Sequence, residues 1–440
     1  MEIDQLLIYI FLQINNHMSA HHPYDKETIF VQMASYRDPE LLPTLRDLFE
    51  KALSPDLLHV CICWQHNKED EWDKLEEFAD HPNVTVLDID SADSKGACWA
   101  RNMIQQEYKG EDFTFQLDSH HRFVESWDDE LKSMYYQLEL QGKKPLITGY
   151  IPGYDVETGK AIHTDPWRLT FNYFDHNGPL HTAPEAIPNW EGLNGPVNAR
   201  FYSAHFAFAD GKFSTDVQHD PEMYFHGEEI TIAARAYTHG YDLVHAHKTI
   251  AWHHYGRLDS PKHWDDKKDW GKANQKSYIR VRKLLGINGE EFDKEVEYKY
   301  GLGNVRTLKD YESYAGVRFR DKGVQQFTLD KHHPPNPTFK TEEDYNASFL
   351  NVFKNCINLP FDAVPQEEFV CWAIIYKDSE GEDIYRHDIQ PEEIKRLTND
   401  KEGHIKIWSE FNISEQPASW IVWPNTVRGG WTDTSLTGNI

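Results

Sequence analysis

The sequence predicts an α/β protein in which a sheet with parallel strands, flanked by helices, is followed by a small β-rich module at the C-terminus. Three observations lead to this prediction. Over residues 28–117, apolar strand-like segments alternate with segments of helical periodicity. Residues 331–340 are rich in proline and predict a linker. Beyond it, residues 369–376 and 419–423 have strand character and turn-rich flanks.

The elements of the first region follow from local patterns. Residues 28–33 predict a buried strand, and the apolar spacing of Leu42, Leu45 and Leu48 predicts a helix from about residue 41 to residue 52. The elements predicted after it are, in order, a strand at 59–64, a helix at 70–79, a strand at 84–88, a helix at 97–107 and a strand at 113–117. Because crossover helices join parallel strands, we expect helices on both faces of the sheet. Residues 150–200 are rich in Pro, Gly, Asn and aromatic residues and predict long loops over a site.

Three segments are expected along the chain: a leader at 1–26, a main domain at 27–330 and the β-rich module at 341–440. The apolar run from Leu6 to Leu12 is far shorter than a membrane span, and acidic Glu2 and Asp4 stand where a signal peptide carries basic residues. We therefore expect no membrane span. In the module we expect some tryptophans to contact an acceptor or partner and most to fill a small core. These are Trp372, Trp408, Trp420, Trp423 and Trp431.

The charge and the cysteine content indicate which partners and which cellular compartment to expect. The formal net charge is −27, so the surface would repel nucleic-acid phosphates, and we expect no nucleic-acid partner. The five cysteines are widely spread and odd in number, unlike a secreted disulfide framework. Cys61 and Cys63 alternate along a predicted strand, so both should face one side of the sheet. A reducing, cytoplasmic compartment is therefore expected.

The strongest chemical signal is Asp118-Ser119-His120, which directly follows the strand predicted at 113–117. Ligands of open α/β sheets bind beyond the carboxyl ends of the strands. In an extended turn, residues i and i+2 project to the same side. The Asp118 carboxylate and the His120 imidazole could therefore bind one divalent ion, which would neutralise charge on a diphosphate. The alternative is that Asp118 or Ser119 caps a helix.

Two further segments supply candidate groups. After the turn at Gly227, Glu228 and Glu229 begin a predicted helix, where they either serve the helix dipole or bind a sugar. Later an apolar strand ends in His253-His254, and one of these could complete an Asp/His/His set suited to Mn²⁺ or another borderline divalent ion. An ordinary hydrogen-bonded histidine is the alternative for either one alone, since the chain contains 24 histidines.

Taken in order, these segments resemble a known family. Six segments carry the resemblance: 30–41, 96–101, 116–120, 225–230, 235–242 and 253–257. In this order they resemble the GlcNAc-transferase family typified by the cytoplasmic Skp1 hydroxyproline GlcNAc-transferase. The resemblance extends over roughly residues 27–318. More distantly, the Asp-x-His and Gly-Glu-Glu patterns are similar to those of the polypeptide GalNAc-transferases. The resemblance implies a GT-A-type fold with a Rossmann-like mixed sheet. It also implies a UDP-sugar donor, with UDP-GlcNAc as the first choice, and retention of anomeric configuration.

The resemblance implies a metal site. Asp118 and His120 would be ligands of Mn²⁺ or another divalent cation, with Asp118 also next to the bound donor. His253 would be the third ligand, because the family pattern is His-x-Tyr-x-Arg and Tyr255 and Arg257 then follow at the matching positions. The doubled His253-His254 leaves this register open by one residue.

The resemblance also implies roles at the donor. Ser35, Tyr36 and Arg37, which follow the first predicted strand, would lie at the nucleotide. Arg101, on the helix after Gly96, would supply a cation to the diphosphate or uridine. Glu228 and Glu229 would contact the sugar or the acceptor.

The predicted function is thus metal-dependent transfer of a sugar, GlcNAc in the first place, from a UDP-sugar to a hydroxyl acceptor. A protein hydroxyproline, serine or threonine, or a glycan, would supply that hydroxyl. The alternative is a catalytically inactive carbohydrate-binding relative, which would keep the aromatic residues but not a full metal set. A zinc hydrolase would need a His-x-x-x-His or His-x-x-Glu helical pair, which the three segments lack.

Overall fold

The structure is a computed structural model whose described residues form two compact units. The first unit contains residues 26–170, 184–280 and 298–311, and the second contains residues 171–183, 281–290 and 312–440. The leader expected at 1–26 lies, apart from Lys26, outside the described residues. The described ranges are 26–175, 177–256, 260–290, 298–364, 368–398, 404–413, 415–433 and 435–440.

Twenty-three strands lie within these ranges. Those of the first 210 residues are β1 Ile29–Tyr36, β2 Leu58–His66, β3 Val84–Asp90, β4 Phe113–Asp118, β5 His121–Phe123, β6 Pro145–Thr148, β7 Tyr154–Asp155, β8 Lys160–Ala161, β9 Trp167–Phe174, β10 Leu180–Ala186, β11 Val197–Asn198 and β12 Phe206–Asp210. Those after them are β13 Asp242–His245, β14 Ala251–His253, β15 Val317–Arg318, β16 Gly323–Gln325, β17 Phe349–Pro360, β18 Phe369–Lys377, β19 Asp383–Ile389, β20 His404–Asn412, β21 Ser419–Thr426, β22 Gly430–Trp431 and β23 Leu436–Asn439.

The α-helices lie between these strands. They are Leu41–Lys51, Ala97–Gln105, Trp127–Glu139, Phe213–Asp216, Glu228–Thr238, His263–Asp266, Trp270–Leu285, Leu308–Ala315, Gln326–Leu329, Glu342–Ala347 and Pro391–Thr398. Within the described ranges, none of them combines the length and the apolar character that crossing a membrane requires.

An eight-stranded mixed sheet forms the centre of the first unit, with strand order β11-β13-β6-β12-β4-β1-β2-β3. β3, β2, β1 and β4 are parallel neighbours, as the strand–helix alternation predicts. β12 runs antiparallel to both β4 and β6, which makes the sheet mixed. The predicted α/β fold with a mixed sheet is therefore confirmed.

Helices cover both faces of this sheet. On one face Leu45 and Trp127, from the helices Leu41–Lys51 and Trp127–Glu139, pack with β-strand residues such as Phe115 in a hydrophobic core cluster. On the other face Cys61 and Cys63 pack with Phe30, Ala100 and Ile104. Both thiols thus face one side of β2, as their alternation predicts.

Two local predictions are wrong. The helix expected at 70–79 is reduced to a 3-10 turn at Glu76–Phe78. Acidic residues four apart in this segment repel each other along a helix, and Asp70 and Asp73 instead accept hydrogen bonds from Arg37 and the Trp64 indole. Residues 150–200 are not only loops, because β9 pairs with β10 and β7 pairs with β8.

The second unit contains most of the C-terminal strands. β15, β16, β17 and β20 form one sheet, and β18, β19, β21, β22 and β23 form another. Trp372, Ile374 and Tyr376 of β18 are buried in its core with Ile357 and Ile407. Of the other tryptophans, Trp420 packs against this core, whereas three are exposed: Trp408, Trp423 and Trp431.

Candidate metal centre and adjoining pocket

Three side chains that the sequence singled out converge at the carboxyl end of β4. Asp118 is the last residue of that strand, His120 lies in the following turn, and His253 ends β14, whose pairing with β5 sets it opposite His121. The Nε2 atoms of His253 and His120 lie 3.5 Å and 3.9 Å from Asp118 Oδ2. One ligand atom from each of the three residues lies within 4.8 Å of the other two.

The element after Asp118 decides against the capping alternative. β5 begins at His121, so the chain continues from Asp118 and Ser119 into a strand. Neither residue therefore caps a helix. The Ser119 hydroxyl donates instead to Asp38 Oδ2, at 2.5 Å.

The chemistry of the three donors fits a divalent cation. Burial, reinforced by the neighbouring His120, lowers the pKa of His253 to about 3, so its ring is neutral and offers a lone pair at neutral pH. Within the described part of the chain, neither ring nitrogen of this buried histidine has a hydrogen-bond partner. A buried polar group without a partner is costly, and a cation bound at Nε2 would satisfy it. Two imidazole nitrogens and a carboxylate suit Mn²⁺ or a similar borderline ion.

Asp38 orients His120. Its carboxylate Oδ2 lies 2.6 Å from His120 Nδ1, and its side chain is fully buried. An imidazole that donates Nδ1–H to a carboxylate presents Nε2 as the lone-pair donor. Asp38 thus fixes the tautomer that the candidate metal centre requires.

A buried ion-pair chain supports Asp118 from behind. Arg101, on the helix Ala97–Gln105, donates from Nη2 to Asp118 Oδ1 at 2.8 Å and from Nη1 to both Glu228 oxygens at 2.8 Å. His219 Nε2 lies 2.7 Å from Glu228 Oε1. Burial opposes ionisation of Asp118, but contact with His253 and the charge of Arg101 outweigh it and hold the pKa of this carboxyl well below its usual range. Asp118 is therefore ionised at neutral pH.

The two adjacent glutamates occupy different environments. Gly227 adopts φ 92° and the helix Glu228–Thr238 begins directly after it, as predicted. For Glu228, Arg101 and His219 outweigh the effect of burial and lower its pKa to about 2. Burial, with repulsion from Glu228, raises the pKa of Glu229 to about 7, although Ser203 and the Ala204 amide each donate to Glu229 Oε1 at 3.0 Å. One acid is thus held charged, and the other titrates near neutrality.

A pocket of about 350 Å³ adjoins the three metal-ligand candidates. Its volume lies at the lower end of the range for small-molecule sites. Aromatic side chains form much of its wall, and Phe225 and Trp264 are exposed there. The lining side chains that matter for its chemistry are Tyr36, Arg101, Asp118, His120, Tyr224, Phe225, His253, Tyr255, His263 and Trp264.

β1 extends beyond the predicted strand, so of the three candidate nucleotide residues Ser35 and Tyr36 lie at its end and only Arg37 follows it. Tyr36 lines the pocket, and its hydroxyl donates to Asp266 Oδ2 at 2.7 Å. The Arg37 guanidinium contacts Asp70 at 2.6 Å and, at 2.9 Å, the same Asp266 oxygen that Tyr36 binds, but Arg37 does not itself line the pocket. Ser35 is fully buried. Only Tyr36 of the three therefore contributes its side chain to the pocket wall.

The adjacent histidines diverge at the end of β14. His253 is buried against His120, with ring centroids 4.6 Å apart, and against Tyr255, at 4.3 Å. The His254 amide donates to the His120 carbonyl at 3.0 Å, and its ring faces Tyr154 at 5.9 Å. Both histidines line the pocket, but only His253 belongs to the cluster with Asp118 and His120. Arg257, the last residue of the expected pattern, lies outside the described residues.

Sequence reasoning missed Asp38 and His219. Asp38 directly follows Ser35, Tyr36 and Arg37, which were assigned to the nucleotide, but no role was predicted for Asp38 itself. Its position after β1, next to the end of β4 in a parallel pair, was the available signal. No local pattern marks His219.

The chain matches the family model described as Glycosyltransferase (GlcNAc) over residues 28–80 and 71–321. The matched region contains the α/β sheet, the Asp118–His120–His253 cluster and the pocket, so the protein belongs to the glycosyltransferases. More specifically, the chain is a member of the Glycosyltransferase (GlcNAc) family. No curated protein matches the sequence.

Solved structures of two other transferases are similar to this chain. GalNAc-T7 with UDP, GalNAc and Mn²⁺ is 16% identical, with a TM-score of 0.46, over 66% of this chain and 55% of that one. S. aureus TarS 1–349 with UDP-GlcNAc is 10% identical, with a TM-score of 0.39, over 62% and 69% of the two chains. A longer S. aureus TarS structure is 10% identical, with a TM-score of 0.37, over 94% and 77%. The chain thus spans little more than half the length of the GalNAc-T7 structure.

Proposed function

We propose that this protein uses a divalent cation to transfer a sugar from a UDP-sugar to a hydroxyl group, with retention of configuration. GlcNAc is the sugar that we expect first. The observation that carries the proposal is the convergence of Asp118, His120 and His253 at one end of a pocket of about 350 Å³. Membership of the Glycosyltransferase (GlcNAc) family supports both the reaction class and the choice of sugar.

In this proposal Asp118 Oδ2 and the Nε2 atoms of His120 and His253 hold Mn²⁺ or a similar ion. When bound there, the ion would neutralise charge that develops on the departing diphosphate. The carboxylate is already ionised and the His253 ring already neutral at neutral pH, so neither has to change protonation to act as a ligand. Asp38 holds His120 in the matching tautomer.

The rest of the site would bind and orient the donor. Tyr36 and Tyr224 offer ring faces on which the uracil base could stack. Arg101 lines the same pocket, but its charge is divided between Asp118 and Glu228, so we assign it the role of holding Asp118 at the diphosphate. Ser35, at the end of β1, and Arg37, directly after it, would act by positioning Tyr36. Glu228 and Glu229 would act from behind the pocket wall. Direct contact of these acids with the sugar or the acceptor stays a prediction.

We further propose that the acceptor is a hydroxyl of a protein, such as hydroxyproline, serine or threonine, or of a glycan. The exposed Phe225 and Trp264 give the pocket an apolar approach on which an acceptor could pack. All five cysteines are free thiols, which supports a reducing, cytoplasmic compartment.

The test is donor cleavage by the full chain. UDP-GlcNAc, UDP-GalNAc, UDP-Glc and UDP-Gal are incubated with Mn²⁺ or with EDTA, and release of UDP is measured. We expect cleavage of UDP-GlcNAc above the others, and its loss in EDTA. Tight binding of a free sugar without cleavage of any donor would instead identify an inactive carbohydrate-binding relative.

A further inference from the structure

The second unit contains a cavity of its own, remote in sequence from the metal-ligand candidates. It encloses about 260 Å³ and is lined by residues from the end of β9, the β15–β16 turn, β17, β20 and the C-terminus. The side chains that carry the argument are Tyr173, Asp175, Lys322, Asn351, Lys354 and Trp408. None of them is used in the proposed transfer reaction.

Trp408 is the most telling of these residues. β20 alternates strictly between buried and exposed positions, and Ile405 and Ile407 fill the core while Trp408 faces outward. Its side chain is 59% exposed, the largest exposure of any tryptophan in the described ranges. The Lys354 ammonium lies 5.7 Å from the centroid of the indole ring. Because more than half of Trp408 is nevertheless exposed to water, a ligand stacked on the indole would bury apolar surface and bind favourably.

The charges around the cavity are largely compensated. Lys354 Nζ donates to Asn172 Oδ1 at 2.8 Å and lies 3.3 Å from Glu410 Oε2. Lys322 Nζ donates to the Asp175 carbonyl at 3.3 Å, close to the carboxylate of the same residue. Paired cations attract an anion weakly, so a phosphate or carboxylate ligand is disfavoured relative to a neutral one.

An aromatic face beside amide, ammonium and carboxylate groups suits a particular ligand chemistry. A pyranose ring has an apolar C–H face that stacks on an indole and a rim of hydroxyl groups that donate and accept hydrogen bonds. The cavity is also small and compact, which favours a single ring over an extended peptide.

We propose that this cavity binds a neutral hexopyranose residue of a glycan, with Trp408 as the stacking platform. The inference rests on the proposed transferase function only for its biological role: the bound sugar would belong to the acceptor or to product already formed. Binding in the second unit would raise the effective concentration of a glycosylated acceptor near the enzyme.

The test uses the full chain in EDTA, so that sugar binding that depends on a metal is excluded. Methyl glycosides of GlcNAc, GalNAc, glucose and galactose are titrated and followed by saturation-transfer NMR. We expect at least one glycoside to bind, Trp408→Ala to weaken it by about tenfold or more, and Trp408→Phe to give an intermediate value. Trp423→Ala is the matched control, since Trp423 is also exposed in the second unit but does not line this cavity.

The inference would be overturned if Trp408→Ala and Trp423→Ala weakened glycoside binding equally. It would also be overturned if NMR showed no saturation transfer from the protein to any of the four glycosides. If the protein cleaves UDP-GlcNAc but binds none of the glycosides in EDTA, only this inference is wrong. If glycosides bind in a Trp408-dependent way but no donor is cleaved, only the proposed transferase function is wrong.

Discussion

His120 and Asp38 form a buried pair in which Nδ1 and Oδ2 lie 2.6 Å apart. The residues are 82 positions apart in the chain, and the parallel pairing of β1 with β4 brings their loops together. Ser119 donates to the same oxygen of Asp38. The first loop of the sheet thus determines the geometry of a candidate metal ligand in another loop.

Asp38→Asn should weaken the apparent affinity for Mn²⁺ by about 10–100-fold, because His120 loses the partner that fixes its tautomer. Metal titration of UDP-GlcNAc cleavage measures this effect. Asp128→Asn is the control: Asp128 is equally buried, but it accepts from the Leu53 and Ser54 amides, remote from the metal-ligand candidates. Equal metal requirements in the two variants would show that Asp38 has only a structural role.

His253→Ala should raise the Mn²⁺ requirement far more than His254→Ala. His253 Nε2 lies 3.5 Å from Asp118 Oδ2, whereas the His254 ring lies against Tyr154. The measurement is a metal titration of both variants at the same pH. A larger effect of His254→Ala would shift the metal-ligand register by one residue.

Arg101→Leu should destabilise the fold strongly, by about 3–5 kcal/mol, since it leaves the buried Glu228 carboxylate without its principal partner. Urea unfolding gives the free energy of unfolding. The double variant Arg101→Leu/Glu228→Leu should recover part of that loss, because no unpaired buried charge remains. A double variant less stable than the sum of the two single changes would contradict this account of the pair.

Glu229 should make the stability of the fold depend on pH. Its pKa is about 7 in the folded protein against an ordinary value of 4.5, so between these values the folded state holds a proton that the unfolded state releases. The stabilising contribution is present below pH 4.5 and is lost as pH rises through 7. Glu229→Gln lacks this loss, so its melting temperature relative to the natural protein should be higher at pH 8 than at pH 5. A difference that is constant with pH would contradict the raised pKa.

Local patterns predicted the parts of the fold that local physics determines. β1 to β4 lie close to their predicted positions, because continuous apolar runs are typical of strands buried on both faces. Asp118 stands at the predicted strand end for the same reason. The helix predicted at 70–79 does not form, because acidic side chains of this segment bind Arg37 and Trp64. Helical periodicity does not reveal such contacts.

The features that could not be predicted depend on distant parts of the chain. The reversal of β12 between β4 and β6 follows from long-range pairing. The Arg101–Glu228 pair joins residues 127 positions apart, and His219 enters only through it. Short motifs could mark the candidate ligands, but their supporting partners required the three-dimensional structure.

The most direct test of the central claim is UDP-GlcNAc cleavage by Asp118→Ala and His120→Ala, measured with saturating Mn²⁺ alongside the thermal unfolding of each protein. Asp118 ends β4 and His120 lies in the turn before β5, so neither residue caps a helix. Arg101 keeps Glu228 as a partner when Asp118 is removed, and Asp38 keeps the Ser119 hydroxyl and the Glu40 amide as donors when His120 is removed. We predict folded proteins with melting temperatures near that of the natural chain and no measurable cleavage. Cleavage at the natural rate in either variant, or a loss of activity matched by a loss of folded protein, would contradict the assignment of Asp118, His120 and His253 as the metal centre.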